Sequence, residues 1–189
     1  MSQYAVPDSD VSAGSWEYVT VGSGPLYTQV DNGINGGTPS SSDGIRYDGF
    51  GFATTCELGL QNLTDPSDPT NHIIRVYANN LGFFSPQTLS VAIFDGSTQV
   101  DTTNFSVTGP GSPATYSYTL NSLNVSSNLS DYTNLRVKLS SSSVDIQVYE
   151  VELVVPSAGG GGGGEPPKLH PEFFPVSYTH LTLPTTPYV

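Results

Sequence analysis

The chain is poor in positive charge. Five lysines and arginines stand against seventeen aspartates and glutamates, a formal charge of -12 over 189 residues. Such a surface repels phosphate backbones and anionic lipid, which argues against nucleic acid and membrane surfaces as partners. Cysteine occurs once, at Cys56, so no intrachain disulfide can form. No apolar run approaches the length of a membrane span. The first ten residues, MSQYAVPDSD, have neither the basic n-region nor the apolar h-region of a secretory signal. The expected setting is therefore assembly inside a cell, or an extracellular location reached by lysis or a route that needs no such signal. No internal repeat is present.

What the chain does have is turn chemistry. Hydrophobic residues make up 36% and charged residues 12%, and the balance is filled by Ser, Thr, Asn, Gly and Pro. That profile belongs to an all-β domain with many turns. Residues 1–13 read as an irregular polar lead-in. Residues 15–21 (SWEYVTV) are the first strand candidate, and 26–30 (LYTQV) a short strand or a single helical turn. Residues 31–43, rich in Gly, Ser and Pro, read as a mobile loop. Period-two alternation then marks strands over residues 54–61, 72–79, 88–94, 103–107, 114–120 and 135–139. Asp95-Gly96 starts a tight hairpin turn. Residues 125–132 form a crossover with about one helical turn. The total is about eight to ten short strands and no helix longer than two turns, which means a sandwich or barrel. The long loops favour an antiparallel β-sandwich of jelly-roll type over residues 1–156.

Residues 144–156 (VDIQVYEVELVVP) close that domain. Val144, Ile146 and Val148 alternate with Asp145 and Gln147. The apolar series then resumes one residue out of phase at Tyr149, Val151, Leu153 and Val155. A strand cannot change its inward face without an extra residue, so a bulge is expected near residues 148–150. Cover on both faces of the strand is the alternative. Glu150 and Glu152 fall on one face about 7 Å apart, and they read as a solvated outer face.

Candidate chemistry is sparse. Cys56 is in phase with Leu58 and Leu60, the position of a buried small apolar group rather than a nucleophile. His72 is in phase with Ile74 and Val76 and reads as a satisfied or rim histidine. No Ser–His–Asp set assembles, and no catalytic residue is assigned. The Glu150/Glu152 spacing suits glycoside hydrolysis, but a solvated face explains it equally well. For calcium the candidate ligands are Asp43 with Asp48 (DGIRYD) and Asp65 with Asp68 (DPSD). Neither has EF-hand spacing, and Asx turns account for aspartates in such settings. A structural calcium ion is the cofactor left open. For glycans the candidates are Tyr77, Asn79, Asn80, Phe83 and Phe84, which place aromatic faces beside amides within one turn. Phe83 and Phe84 read equally as caps on the sandwich end. Sequons at Asn62, Asn104, Asn124 and Asn128 are expected by chance in so Ser/Thr-rich a chain.

Two resemblances bear on origin. PDSDVSAGSW with LYTQVD, LTDPSDPTNHIIRVYA, and VYEVELVVP together resemble a jelly-roll module of phage and environmental-virus structural proteins. The resemblance implies a non-enzymatic structural or adhesive module of a virion or appendage. It implies other virion subunits, surface glycans or copies of itself as partners. The alternatives are a carbohydrate-binding module of a larger secreted enzyme and, third, a stand-alone glycoside hydrolase. Residues 157–164 (SAGGGGGG) are a flexible linker, and residues 165–189 an irregular tail. Within that tail, residues 175–185 (PVSYTHLTLPT) resemble a translated transposase mosaic-end sequencing adapter. That implies a genomic or metagenomic fragment whose authentic protein continues past the glycines, and a tail with no function of its own.

Overall fold

Strict alternation builds one of the two central strands. Leu135, Val137, Leu139 and Ser141 are buried, while Arg136, Lys138 and Ser140 between them are half-buried. The other central strand, the last among the described residues, is buried along ten consecutive residues. A computed structural model describes residues 1–19, 23–34, 39–47, 49, 54–82, 86–141 and 143–158. The linker and tail, apart from 157 and 158, lie outside the described residues, as do Asp48, Phe83 and Phe84.

The strands are β1 (Ser2–Ala5), β2 (Pro7–Ser12), β3 (Trp16–Tyr18), β4 (Ile45–Tyr47), β5 (Thr55–Leu60), β6 (Ile73–Asn80), β7 (Gln87–Asp95), β8 (Thr98–Val107), β9 (Ala114–Thr119), β10 (Leu135–Ser141) and β11 (Ile146–Pro156). A 3-10 turn spans Leu26–Gln29, and a short helix, α1, spans Ser122–Asn128. Sheet A has the order β3-β4-β11-β6-β9, with β1 paired to the far end of β11; sheet B has the order β2-β5-β10-β7-β8. Every pairing is antiparallel. The eight strands from β4 to β11 form four nested pairs: β4 with β11, β5 with β10, β6 with β9, and β7 with β8. Residues 45–156 are thus one long hairpin, with its tip at Gly96-Ser97, rolled so that successive pairs fall in alternate sheets. That is a jelly roll, as expected.

The inward faces of both sheets meet in one core. Sheet A contributes Ile45, Ile74, Val76, Ile146, Val148, Val151 and Leu153, and sheet B contributes Cys56, Leu58, Leu89, Val91, Ile93, Val137 and Leu139. Each of these large aliphatic side chains stabilises the fold by about 1.5–3 kcal/mol through burial. The β11 register slips against β6 between Val148 and Glu150, the bulge expected from the phase shift. Its consequence differs in one respect. Val148 and Val151 belong to the core, but Tyr149 does not; it joins Gln147, Glu150 and Glu152 on the outer side.

Three expectations are corrected. Residues 1–13 are not an irregular lead-in but β1 and β2. Their polar sequence conceals strands because β2 lies at a sheet edge with most of its side chains exposed and two irregularities in its register. Residues 31–43 are tied down wherever they are described, through Gly33, Ile34 and Ser40. Glu150 and Glu152 are not a solvated face: they are 0% and 1% exposed.

Candidate groove at the open end of sheet A

Sheet A carries an unusual outer surface, built by four strands in register. Gln147 of β11 faces Arg46 of β4 on one side and Asn79 of β6 on the other. Glu17 of β3 extends the row beyond Arg46. The Arg46 guanidinium donates to Glu17 Oε1 from Nε at 3.0 Å and from Nη2 at 2.8 Å. The Tyr149 hydroxyl donates to Gln147 Oε1 and its oxygen takes a hydrogen bond from the Asn79 side chain. Burial pushes the Tyr149 phenol above its ordinary range. The Tyr77 ring packs tilted against Tyr149, 6.0 Å between centroids. Asn79 is 5% exposed, and its Oδ1 is buried with no donor among the described residues.

Beyond this row the sheet opens into a groove of about 510 Å³, lined by Glu17, Arg46, Tyr47, Gly49, Leu81, Val144 and Asp145. That volume lies in the range of small-ligand sites. Leu81 and Val144 are 47% and 48% exposed, and both stand on the groove wall. The Leu81 amide donates to the Asp145 carbonyl at 2.9 Å, which fixes the two walls relative to each other. Gly49 has φ +75°, and a Cβ there would collide with Val144 Cγ1. A glycine at 49 therefore keeps this end of the sandwich open.

Further along β11 the outer surface is covered at Glu150 and Glu152. The segment after the 3-10 turn crosses β11, and its backbone amides bind the two buried glutamates. Gly33 N donates to Glu150 Oε2 at 3.0 Å, Ser40 N to Glu150 Oε1 at 3.1 Å, and Ile34 N to Glu152 Oε2 at 3.0 Å. Arg75 adds an ion pair to Glu152 Oε1 at 3.3 Å. Gly44 lies so close that a Cβ would stand 2.7 Å from the Val148 carbonyl oxygen and 2.8 Å from the Tyr149 ring. Burial, with the Asp43 carboxylate adding to it, raises Glu150 to about 6 against the pull of its amide donors. These carboxylates tether a strap, a role incompatible with a water-accessible glycosidase pair.

The other candidates fall in separate places. Tyr77 and Asn79 belong to the row beside the groove. Asn80 points the other way and is 0% exposed; its Nδ2 donates to the Val107 carbonyl and its Oδ1 accepts from Gly82 N, so it supports the fold and offers nothing to a ligand. Asp65 and Asp68 close Asx turns by accepting from Ser67 N and Thr70 N. Asp43 lies on the strap, near Glu150 and Asp31. Among the described residues no group of three or more His, Cys, Asp or Glu side chains is arranged to hold a metal. Cys56 is fully buried and its thiol is pushed up to about 12 by burial, the state of an inert core group. His72 is also fully buried, with Nδ1 against the Thr70 carbonyl at 3.0 Å and Nε2 against the Tyr132 hydroxyl at 2.7 Å. Neither ring nitrogen is left to activate a nucleophile.

Sequence reasoning missed Glu17, Arg46, Leu81 and Val144 as groove residues. The opposite-charge pair Glu17/Arg46 gives no local signal, because the two residues meet only across β3 and β4. No protein-family model matches the chain, and no curated protein matches it. Among solved structures it is similar to the C-terminal CBM6 of LamC, a marine laminarinase from Zobellia galactanivorans. The likeness covers 82% of this chain and 99% of that one, at 14% identity and a TM-score of 0.46. The jelly roll rests on the strand order of the chain itself.

Proposed function

We propose that the chain is a non-catalytic β-sandwich module that binds a glycan in the groove at the open end of sheet A. The carrying observation is the make-up of that groove. Two exposed apolar side chains, Leu81 and Val144, share about 510 Å³ with the charged groups of Glu17, Arg46 and Asp145. Sugars present apolar C–H faces and hydroxyl edges together, and a site for them needs both kinds of surface. An adhesive module of a particle and a carbohydrate-binding module of an enzyme share this chemistry.

Affinity gel electrophoresis against soluble glucan, xylan, mannan and pectin tests the reading. At least one polysaccharide retards the native protein, and the Leu81→Ser/Val144→Ser double variant loses about tenfold in affinity with its melting temperature nearly unchanged. Absence of retardation by every polysaccharide, or an unaffected double variant, overturns the reading. New reducing ends in the retarding polysaccharide would overturn its non-catalytic part.

A further inference from the structure

The strands at the sheet edges are β1, β3 and β9 in sheet A and β2 and β8 in sheet B. An edge strand leaves a row of N–H and C=O groups unpaired, and such a row templates another strand unless something blunts it. Four of these edges are short or blunted. β1 has four residues, and Gln3 ties it to the Thr64 backbone. β3 has three residues, one of them Glu17. β2 begins at Pro7 and has two irregularities in its register; its Asp10 accepts from the Leu26 and Tyr27 amides of the 3-10 turn. β8 carries Asp101, whose carboxylate holds α1 against the strand through Asn121 N at 2.7 Å and Asn124 Nδ2 at 3.0 Å. β9 differs. Its sequence, ATYSYT, has no charge, proline or glycine, and its register against β6 is unbroken from Ala114 to Thr119.

The ladder fixes which groups of β9 are free. Leu120 N donates to the His72 carbonyl at 2.8 Å, one residue beyond the pair of Thr119 with Ile73. That phase makes Tyr118 with Ile74, Tyr116 with Val76 and Ala114 with Ala78 the hydrogen-bonded pairs. Thr115, Ser117 and Thr119 therefore turn their N–H and C=O groups away from β6. All three residues are exposed, and no group among the described residues bonds to these outward N–H and C=O groups. The row is also self-complementary. A second β9, laid antiparallel about a two-fold axis at Ser117, sets Thr115 opposite the second copy's Thr119 and Ser117 opposite its own equivalent. Each such pair exchanges two hydrogen bonds, so every outward group on both strands is used. Tyr116 and Tyr118, which pack against the core from the inner face, fall opposite each other across the axis. On the outer face Ser and Thr meet Ser and Thr, so no like charges oppose.

We propose that β9 pairs with β9 of a second copy of this chain, joining the two A sheets into one antiparallel sheet across a two-fold axis. A second copy is the occupant because register and side-chain pairing both close on themselves. The contact is one strand wide, so the pairing is weak and reversible. Each copy carries a formal charge of -12, so added salt strengthens it.

Sedimentation velocity of the full chain, from about 10 µM to about 1 mM, reads the pairing. The native protein should pass from monomer towards dimer over that range, and further in about 0.5 M than in about 0.05 M sodium chloride. Ser117→Pro removes an outward N–H and no bond to β6. It should keep the native melting temperature and weaken dimerisation by at least about tenfold. Ser117→Thr, which keeps the edge intact, should dimerise like the native protein. Amide hydrogen exchange locates the contact without any variant. The Thr115, Ser117 and Thr119 amides should gain protection as concentration rises, while those of Tyr116 and Tyr118, bonded to β6, stay protected throughout. A protein still monomeric at the highest concentration overturns the proposal. So does a dimer that Ser117→Pro leaves intact, or one that forms without protecting those three amides. If the proline variant unfolds, the exchange pattern decides.

Discussion

β10 and β11 occupy equivalent places, each central in its sheet with neighbours on both sides, yet they meet different surroundings. The outward side chains of β10 face water. Arg136 pairs with Glu57 at 3.3 Å, both partly exposed, and the Lys138 ammonium sits 5.7 Å above the Phe94 ring. On β11 it is Glu150 and Glu152 that face the strap. Gln147, Tyr149, Glu150 and Glu152 are all nearly inaccessible and bonded to backbone or to one another. The same kind of residue, a charged side chain on the outer face of a strand, is a solubilising group in one sheet and a structural tie in the other. The difference lies in the supply of backbone amides: a buried carboxylate is tolerated when N–H groups converge on it.

Inward positions should show no such difference. Leu139→Ala in β10 and Leu153→Ala in β11, both fully buried, should each lower unfolding free energy by about 2–5 kcal/mol in urea titrations. Outward positions should separate the strands. Glu152→Ala leaves Ile34 N and Arg75 without their partner and should cost about 3 kcal/mol, whereas Lys138→Ala should cost under about 1 kcal/mol. Equal costs at these two positions would erase the distinction. Gly44→Ala, which forces the strap off Val148 and Tyr149, should cost about 1–3 kcal/mol and increase proteolysis within residues 31–43.

The smallest effect is in pH. Glu150 titrates near 6 when folded and near 4.5 when unfolded, so the folded state binds the proton more readily. Its protonation therefore adds stability as pH falls through 6 towards 4.5, by about 1–2 kcal/mol. His72 acts oppositely. Burial lowers its pKa below 6.5, against a weaker upward pull from Thr70, Asp68 and Asp65, so its contribution is present above 6.5 and is lost as the unfolded chain takes up a proton below it. The native protein should change little between pH 7 and 5, while Glu150→Gln should become measurably less stable over that range. A Glu150→Gln profile parallel to the native one would show that the strap carboxylate is not the titrating group.

These contrasts also explain what the sequence made legible. The alternation of residues 135–139, 88–94 and 72–79 follows from sheets with one face in a core, and it placed those strands correctly. The phase shift at residues 148–150 reported a real bulge because a pleat admits no other way to keep Val148 and Val151 on the same side. The fate of the glutamates was not legible, because alternation gives a side chain its face but not what covers that face. Residues 31–43 contain no apolar pattern, and their attachment runs through backbone amides, which every sequence has. The groove was not legible. Tyr77 and Asn79 are not among its lining residues, and Glu17 and Arg46 are 29 residues apart and meet only after β3 and β4 pair.

The nested pairing of strands has a further consequence, for the order in which the molecule can form. Only β7 and β8 are joined by a two-residue turn, at Gly96-Ser97. Each pair outside it, β6 with β9, β5 with β10 and β4 with β11, closes a longer segment of chain around the one before. The entropic cost of closure grows only as the logarithm of segment length, so each outer pair forms far more cheaply once the inner pair has drawn its ends together. Formation from the tip outward would leave β11, with its buried glutamates and the strap they hold, among the last pieces to be secured. A chain with so few local contacts should reach its native state in milliseconds to seconds rather than microseconds.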